Sequence, residues 1–311
     1  MEASSVSTRD MSREEWLRYR RKGIGGSDAA AIIGKSRWKS AFSVYLDKLG
    51  MEDDQTSPVM EMGNLLEGYV AELFTRESGK KVARRNRTYT SKSHPCMMAN
   101  IDRYVVGEQA GLECKTTTRY NSSDWDAGEV PPEYYWQCMH YMAVLGYDHW
   151  YLAVLMRDSG DFRWYRIDRD QAEIDRLIEA EEDFWGLVQR RTPPPTSGLE
   201  SETDKLNELY PADKANGESV DLTELGRDIQ SRVELDKQIK DMSKVREALD
   251  QKIKRAMGEC QLGRAGSYKV SWAAMQRCDI DKKTLMEQFP EAFRAASKMT
   301  GYRRFEIKEV K

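Results

Sequence analysis

The apolar positions along the chain follow two spacings, which predict helices and strands in turn. Helical apolar stripes occupy 58–78, 133–145 and 169–191. Shorter β-branched and aromatic runs predict strands, and glycine-containing turns join them in pairs. These runs are 101–106, 112–118, 149–156 and 162–167. Helices that alternate with strands in this order predict an α/β core, with a mixed central β-sheet flanked by helices.

The pattern changes after a predicted core of residues 1–192. Residues 193–220 are rich in Pro, Ser, Glu and Asp, which is typical of a linker or an exposed loop. Residues 222–257 carry one apolar stripe on a charged helix, as in a coiled-coil arm or one half of a helical pair. A short hairpin follows, so 221–311 is predicted to be a separate helical and hairpin module for oligomerisation or partner docking.

Composition narrows the class of protein only slightly. The chain has 311 residues, with 52 Asp and Glu against 49 Lys and Arg, so its overall charge does not mark a nucleic-acid binder. A local basic groove is nevertheless enough to hold phosphate. The five cysteines are dispersed without a CxxC pair, which predicts reduced thiols and no zinc or iron–sulfur site. With no stretch resembling a signal peptide or a membrane span, we expect a cytoplasmic protein.

The candidate chemistry lies on the first predicted hairpin, residues 98–118. Asp102 is expected on its first strand, with Glu113 and Lys115 on its second. Because side chains alternate along a strand, Glu113 and Lys115 share one face, and Asp102 can reach the same edge. Two carboxylates and an ammonium there suit a Mg²⁺ site for phosphate chemistry. A surface hairpin with a cross-strand salt bridge would use the same residues, and this stretch alone does not decide between them.

Two helices could bring further polar groups to this edge. Glu67 lies within the apolar stripe of 58–78, where an unpaired acid is costly. It is either a third carboxylate of the site or a residue at the edge of the stripe with its head in water. Gln137 and Tyr141 lie four residues apart on one helical face. They either point toward a phosphodiester and its attacking water or pack within an aromatic-rich helix.

A glycine turn near the start of the chain is a candidate anion site. Residues 23–26 run into a predicted helix with Ser27 as its N-cap. Backbone N–H groups, the Ser27 hydroxyl and the guanidinium of nearby Arg20 could together bind a phosphate. An ordinary N-cap after a loop is the alternative interpretation.

Taken in order, these features resemble the phage recombination exonucleases of the lambda-exonuclease and YqaJ type, within the PD-(D/E)xK nuclease superfamily. The resemblance covers roughly residues 13–190. Asn100 departs from the family pattern, which has proline two residues before the aspartate. The segments that carry the resemblance are RRKGIGGSDAAAIIG (20–34), MGNLLEGYVAELF (62–74), ANIDR (99–103), LECKT (112–116) and QCMHY (137–141).

The resemblance implies a restriction-endonuclease-like core and a role for each candidate residue. Lys115 would orient or activate the attacking water, and Gln137 and Tyr141 would complete the catalytic set. Arg20 and Ser27 would grip the 5′ phosphate of the digested strand. Two Mg²⁺ ions, or Mn²⁺ in their place, would occupy each site. Their implied ligands are Asp102, Glu113, the Cys114 backbone carbonyl and Glu67.

The implied reaction is 5′→3′ digestion of linear double-stranded DNA to 5′ mononucleotides. The remaining 3′ strand would pass to a single-strand annealing protein of the RecT/Bet type during phage recombination. Lambda-type enzymes form rings, so a homo-oligomer, a trimeric ring above all, is expected. Two alternatives stay open: an endonuclease whose 193–311 tail reads DNA, and a catalytically silent module that binds DNA or a partner. The complete set of expected residues argues against the silent module.

Overall fold

The computed structural model describes residues 3–52, 57–118, 125 and 129–309. It divides into two units, Met1–Glu208 and Leu209–Lys311. The boundary between them falls inside the segment 193–220, where the composition of the chain changes. No helix in the described ranges is long and apolar enough to cross a membrane.

The first unit contains two β-sheets and most of the helices. Its strands are β1 (Ala3–Ser7), β2 (Ile24–Gly25), β3 (Val82–Ala83), β4 (Arg87–Ser91), β5 (Met97–Asn100), β6 (Arg103–Val105), β7 (Ala110–Thr117), β8 (His149–Met156) and β9 (Phe162–Asp168). Its helices are α1 (Arg13–Arg20), α2 (Gly26–Ile32), α3 (Ala41–Lys48), α4 (Pro58–Ser78), α5 (Pro132–Leu145), α6 (Gln171–Arg190) and α7 (Glu200–Leu209), the last of which ends at the boundary.

The larger sheet is mixed and is covered on both faces. Its strand order is β3-β6-β7-β8-β9, with β7 and β8 parallel and the other pairs antiparallel. Phe74 of α4 packs on one face against Leu112 and Tyr151. Met139 of α5 packs on the other face in the cluster that contains Trp150. The predicted α/β architecture with a mixed sheet between helices is confirmed.

The smaller sheet has the order β1-β4-β5-β2 and determines where Asp102 lies. The chain leaves this sheet after β5 and enters the larger sheet at β6, so Asp102 falls in the two-residue break between them. The predicted hairpin exists as the antiparallel pair β6–β7. The prediction that Asp102 lies on its first strand is wrong, because the residues before the break pair with β4 instead.

The second unit is built around one long helix. Its elements are α8 (Gly226–Met257), the hairpin β10 (Leu262–Ala265) and β11 (Tyr268–Ser271), α9 (Lys282–Gln288) and α10 (Pro290–Ala296). The predicted linker or loop over 193–220 is wrong where α7 forms. The carboxylate of Glu202, buried in that helix, accepts a hydrogen bond of 2.9 Å from the Ser197 backbone N–H, which fixes its first turn.

We expect Gly111→Ala to destabilise the fold, since Gly111 of β7 lies directly against the fully buried indole of Trp150. A Cβ atom at position 111 would overlap that ring. The expected cost of such overpacking is about 1–3 kcal/mol in the free energy of unfolding, measured with denaturant. Gly68→Ala is the matched control: a Cβ there meets nothing within 4 Å, and alanine favours a helix interior. Equal stabilities of the two variants would contradict this account.

A charged cluster fastens the β6–β7 turn to the neighbouring strand. Glu108 lies in that turn, and its carboxylate binds the Lys80 ammonium at 2.5 Å. It also accepts a hydrogen bond of 3.0 Å from the Tyr151 hydroxyl and contacts His149 Nε2 at 3.1 Å. The hydrogen bond from Lys80, with those from His149 and Tyr151, lowers the pKa of Glu108 from 4.5 to about 2.

Glu108→Gln should therefore lower stability in a pH-dependent way. A depressed folded-state pKa stabilises the fold above the unfolded value of 4.5 and ceases to do so as the pH falls toward 2. We expect a loss of about 1–2 kcal/mol at pH 7, after allowance for solvent screening. The difference from wild type should shrink between pH 4.5 and pH 3 in denaturant titrations. Glu14→Gln, in the exposed pair with Arg18, is the control; a pH-independent Glu108 difference would refute the assignment.

Candidate active site

The side chains of β7 alternate between the α4 face of the sheet, which is apolar, and the opposite face, which carries the candidate site. Leu112 and Cys114 pack on the α4 side of the sheet. Glu113 and Lys115 project to the other side, and the Lys115 Nζ atom lies 2.7 Å from Glu113 Oε1. The two side chains share a face, as the spacing of two residues predicts.

Asp102 occupies the open edge of β7. The short strand β6 pairs with β7 only as far as Leu112, so no strand of the described ranges pairs with the Cys114 backbone on that side. The carboxylate of Asp102 replaces a strand there: its Oδ2 atom accepts a hydrogen bond of 2.8 Å from the Cys114 N–H. Since the N–H and C=O of a strand residue point to the same side, the Cys114 carbonyl also faces this edge. Asp102, Glu113 and a backbone carbonyl are thus brought together.

The negative charge at this edge is incompletely compensated. Burial, and then the nearby carboxylates of Glu113 and Glu67, raise the pKa of Asp102 well above its ordinary value. Glu113 Oε2 is buried and has no hydrogen-bond partner within the described ranges. Burial alone would lower the pKa of Lys115, but Glu113 and Asp102 raise it above the usual lysine value, so its ammonium form is favoured.

These observations fit a hard divalent cation. Carboxylate and carbonyl oxygens are the ligands of Mg²⁺ and Mn²⁺, and a cation would stabilise the unpartnered oxygen of Glu113. Across the described part of the chain, no three His, Cys, Asp or Glu side chains converge as a ready metal cluster. Two carboxylates and the Cys114 carbonyl are therefore the protein groups that this edge offers, with solvent or substrate oxygens completing the shell.

Glu67 reaches the neighbourhood of the site but is engaged by arginines. Its Oε1 atom binds the guanidinium groups of both Arg84 and Arg103. Arg103 also donates to the backbone carbonyl of Asp102 at 2.7 Å. The structure thus shows Glu67 as an anchor for two cations beside Asp102, and its role as a metal ligand stays a prediction. The sequence predicted Glu67 either as a third carboxylate of the site or as a solvated residue, and neither prediction included these two ion pairs.

Gln137 of α5 contacts Glu113, and Tyr141 of the same helix contacts Gln137. Gln137 Nε2 lies 2.6 Å from Glu113 Oε1 and 2.8 Å from the Tyr141 hydroxyl oxygen. Both side chains are buried, and the Tyr141 ring belongs to the core cluster on the α5 face. The pair therefore combines packing with a polar contact to the site. A Cβ at position 26 would lie 2.6 Å from the Tyr141 ring, so Gly26 permits α2 to begin against this pair.

Arg20 and Ser27 lie together on the other side of that contact. Arg20 Nη2 donates a hydrogen bond to Ser27 Oγ. The prediction of Ser27 as the N-cap is wrong, because Gly25 occupies that position in an extended conformation set by pairing of β2 with β5. The carboxylate of Asp28 accepts the Gly25 N–H at 3.2 Å, which leaves the Ser27 hydroxyl to Arg20.

A buried charge network under this turn escapes sequence reasoning. Asp28 is fully buried, and its two oxygens accept from Lys48 Nζ at 2.7 Å and Lys39 Nζ at 3.1 Å. Burial alone would raise the pKa of Asp28, but Lys39, Lys48 and Arg20 hold it well below its ordinary value. The sequence holds one indication of this network: Lys48 is a cation at the end of the apolar helix α3.

His140, also not predicted, joins α5 to two other elements. Its Nδ1 atom lies 2.8 Å from Glu181 Oε1 of α6, and its Nε2 atom lies 2.9 Å from the Met98 carbonyl oxygen of β5. Both side chains are fully buried. Since α5 carries Gln137 and Tyr141, this bridge fixes the helix that supports Glu113. The Tyr134 ring of the same helix lies 5.0 Å from Lys115 Nζ.

Comparison with known proteins identifies the family. The model of the YqaJ-like viral recombinase domain matches residues 15–148. A relative called "Uncharacterized protein YqaJ", from Bacillus subtilis (strain 168), is 39% identical over 307 residues, covering 97% of this chain and 96% of the relative. The chain belongs to the YqaJ family.

The fold of this YqaJ-family chain is also found among solved structures. The alkaline exonuclease LHK-Exo from Laribacter hongkongensis matches with a TM-score of 0.50 at 19% identity, covering 63% of this chain and 99% of that one. Its complex with dAMP matches with the same TM-score and coverage at 20% identity. The core therefore shares the fold of this alkaline exonuclease, and both the predicted family and the predicted fold are confirmed.

We expect the two lysines on Asp28 to contribute unequally to stability. Lys48→Met removes the fully buried partner and leaves the buried carboxylate with one of its two lysine ion pairs, which should cost about 3 kcal/mol. Lys39→Met removes a partner that is 32% exposed and should cost about 1 kcal/mol or less. Denaturant unfolding of the two variants tests this ranking. Equal losses, or a larger loss for Lys39→Met, would contradict it.

Proposed function

We propose that this protein is a metal-dependent deoxyribonuclease that digests linear double-stranded DNA in the 5′→3′ direction to 5′ mononucleotides. The observation that carries the proposal is the buried Oε2 atom of Glu113, which has no hydrogen-bond partner in the described part of the chain. It lies beside Asp102, with Lys115 on the same face of β7. Membership of the YqaJ family and the exonuclease fold of the core support it.

Asp102, Glu113 and the Cys114 carbonyl would hold Mg²⁺ or Mn²⁺, and we propose two ions per site. When bound, such ions supply positive charge that neutralises the phosphate and the attacking and leaving oxygens. Gln137 occupies Glu113 Oε1 and so leaves Oε2 directed at the site. Because Gln137 is itself held by Tyr141, the orientation of Glu113 is fixed before substrate binds.

Lys115 is proposed to orient the attacking water or a phosphate oxygen. Its raised pKa means that the ammonium form persists near neutral pH, so it donates hydrogen bonds in this state. The hydrogen bond to Glu113 and the Tyr134 ring restrict its position. Lys115 would therefore lie where it can orient or activate the attacking water.

Arg20 and Ser27 are proposed to bind the 5′ phosphate at the end of the digested strand. A guanidinium and a hydroxyl already joined by a hydrogen bond present donors to such a group. Gly26 packs directly against the Gln137–Tyr141 pair, which contacts Glu113. One layer of side chains thus separates the proposed phosphate site at Arg20 and Ser27 from the carboxylates. This short separation favours attack near a strand end. The similar LHK-Exo forms a complex with dAMP, a mononucleotide of the kind such attack releases.

We propose that the reaction serves DNA recombination. The 3′ strand left by digestion would serve a single-strand annealing protein in phage-type recombination, in keeping with the viral recombinase description of the family. A ring-shaped homo-oligomer, a trimer above all, would keep the enzyme on its duplex.

Digestion of two DNA substrates tests the proposal. One is a linear duplex with a 5′ phosphate at one end only, and the other is a closed circular plasmid, both with Mg²⁺. We expect mononucleotides from the phosphorylated end, an intact circle, and no product after chelation of the metal. Lys115→Ala should lower the rate by about 10²–10³-fold, while Lys237→Ala, an exposed lysine of α8, is the matched control.

The other outcomes separate the alternatives. Cutting of the circle would identify an endonuclease on the same core. DNA binding without turnover on either substrate would identify a binding module. Full activity of Lys115→Ala would show that the reaction takes place elsewhere.

A further inference from the structure

A strongly basic stretch of the chain lies between the end of α4 and Asp102. Residues 78–101 contain six Lys and Arg side chains and no Asp or Glu, whereas acidic residues outnumber basic ones in the chain as a whole. Three of the six are arginines that lie within four residues, and all three are exposed: Arg84, Arg85 and Arg87. We call these three the basic strip. Charges of one sign that are concentrated in this way repel one another, so an anion bound there would be stabilising.

The basic strip lies at the junction of the two sheets, where Asp102 also lies. Strand β3 pairs with β6 in the larger sheet, and β4 pairs with β5 in the smaller one. The chain therefore crosses between the sheets at 84–86, alongside the break at 101–102 where it crosses back. Arg84 binds Glu67, which is a neighbour of Asp102. The strip thus begins beside the candidate active site.

The strip is held in place by contacts with other elements. The Arg85 guanidinium lies over the ring of Tyr104 in β6, 3.9 Å from its centroid. Arg87 Nε donates a hydrogen bond of 2.9 Å to Ser5 Oγ of β1. Between them, Asn86 adopts a left-handed conformation with a φ of 48°, which asparagine tolerates better than most residues. Because the guanidinium groups are already ordered, a ligand that binds them loses less entropy.

The charges of two of these arginines are not offset within the protein. Among the residues that the structure describes, no carboxylate forms an ion pair with Arg85 or Arg87, whereas Arg84 is paired with Glu67. The contacts that order Arg85 and Arg87 come from an aromatic ring, a hydroxyl and a backbone carbonyl, all of which are neutral. Neutral partners orient a guanidinium without neutralising it, and they leave N–H donors for a bidentate acceptor.

We propose that the basic strip binds the phosphate backbone of the substrate DNA beside the candidate active site, with Arg85 and Arg87 each contacting a phosphate. This inference rests on the proposed nuclease function. Phosphate oxygens match the geometry of the arginine donors. The carboxylates of Asp102 and Glu113 repel a DNA strand, and a cationic strip next to them offsets that repulsion. Contacts with phosphates position DNA without reading its sequence, as digestion from any end requires.

The salt dependence of DNA binding tests the proposal. Fluorescence anisotropy of a labelled duplex is measured at several NaCl concentrations, with divalent cations chelated so that no DNA is cleaved. For Arg85→Gln combined with Arg87→Gln we expect weaker binding. The slope of log Kd against log salt concentration should fall by about 2, since each phosphate contact contributes about 0.9. Arg176→Gln combined with Arg190→Gln removes the same charge from the exposed face of α6 and should leave the slope unchanged.

A charge-conserving pair separates the effect of charge from damage to the fold. Arg85→Lys combined with Arg87→Lys keeps both positive charges and should retain most of the wild-type slope. An equal loss of slope in the lysine pair, or the same loss in the α6 control, would overturn the proposal. An unchanged slope in the glutamine pair would also overturn it and leave an acidic protein as the occupant of the strip.

The same measurement distinguishes a failure of this inference from a failure of the proposed function. Because binding is measured without metal, a wild-type protein that binds DNA but does not digest it would refute the nuclease and leave the basic strip intact. A wild-type enzyme that digests DNA, with a salt slope that the glutamine pair does not alter, would refute the strip alone. Wild-type protein that does not bind DNA even at low salt would refute the strip as well.

Discussion

The hydrogen bond from the Cys114 N–H to Asp102 is the constraint on which the candidate site depends. It satisfies a backbone N–H of β7 beyond the end of β6, and it fixes the Asp102 carboxylate at the junction of the two sheets. The alternation of β7 then places Glu113 and Lys115 beside it. The result is a cluster of like charge in which burial, and then Glu113 and Glu67, raise the pKa of Asp102. One oxygen of Glu113 has no hydrogen-bond partner among the residues that the structure describes. A protein retains such a cluster at a cost in stability, which points to function.

Helix α5 links that cluster to the rest of the first unit. Gln137 contacts Glu113, Tyr141 contacts Gln137, and Gly26 brings the start of α2 against both. His140 fastens the same helix to β5 and α6. The turn that carries Ser27 and the carboxylates are therefore held by one layer of side chains, which gives a physical reason for the order of these motifs along the chain.

The sequence predicts regular periodicity well and short irregular features poorly. The spacing of Glu113 and Lys115 on one strand, and of Gln137 and Tyr141 on one helix, is sufficient to place each pair on a common face. The break that holds Asp102 is only two residues long and leaves no mark in the hydrophobic pattern. Likewise, no local signal reveals that β2 pairs with β5, which gives Gly25 the capping position expected of Ser27.

Partners distant in the chain are the other source of error. Glu67 meets Arg84 and Arg103, which follow it by 17 and 36 residues, so its neutralisation is a property of the fold alone. Lys48 reaches Asp28 across 20 residues for the same reason. The helix α7 was hidden in a segment of loop-like composition because the contact that starts it, between Ser197 and Glu202, involves two ordinary polar residues.

Anomalous scattering from crystals soaked in Mn²⁺ would test the central claim most directly, since it locates the ion independently of activity. The account predicts a peak at coordinating distance, about 2.1 Å, from Glu113 Oε2 and the Asp102 carboxylate, which disappears in a Glu113→Gln crystal soaked in the same way. Saturating Mn²⁺ that binds elsewhere and leaves this edge of β7 empty would contradict it.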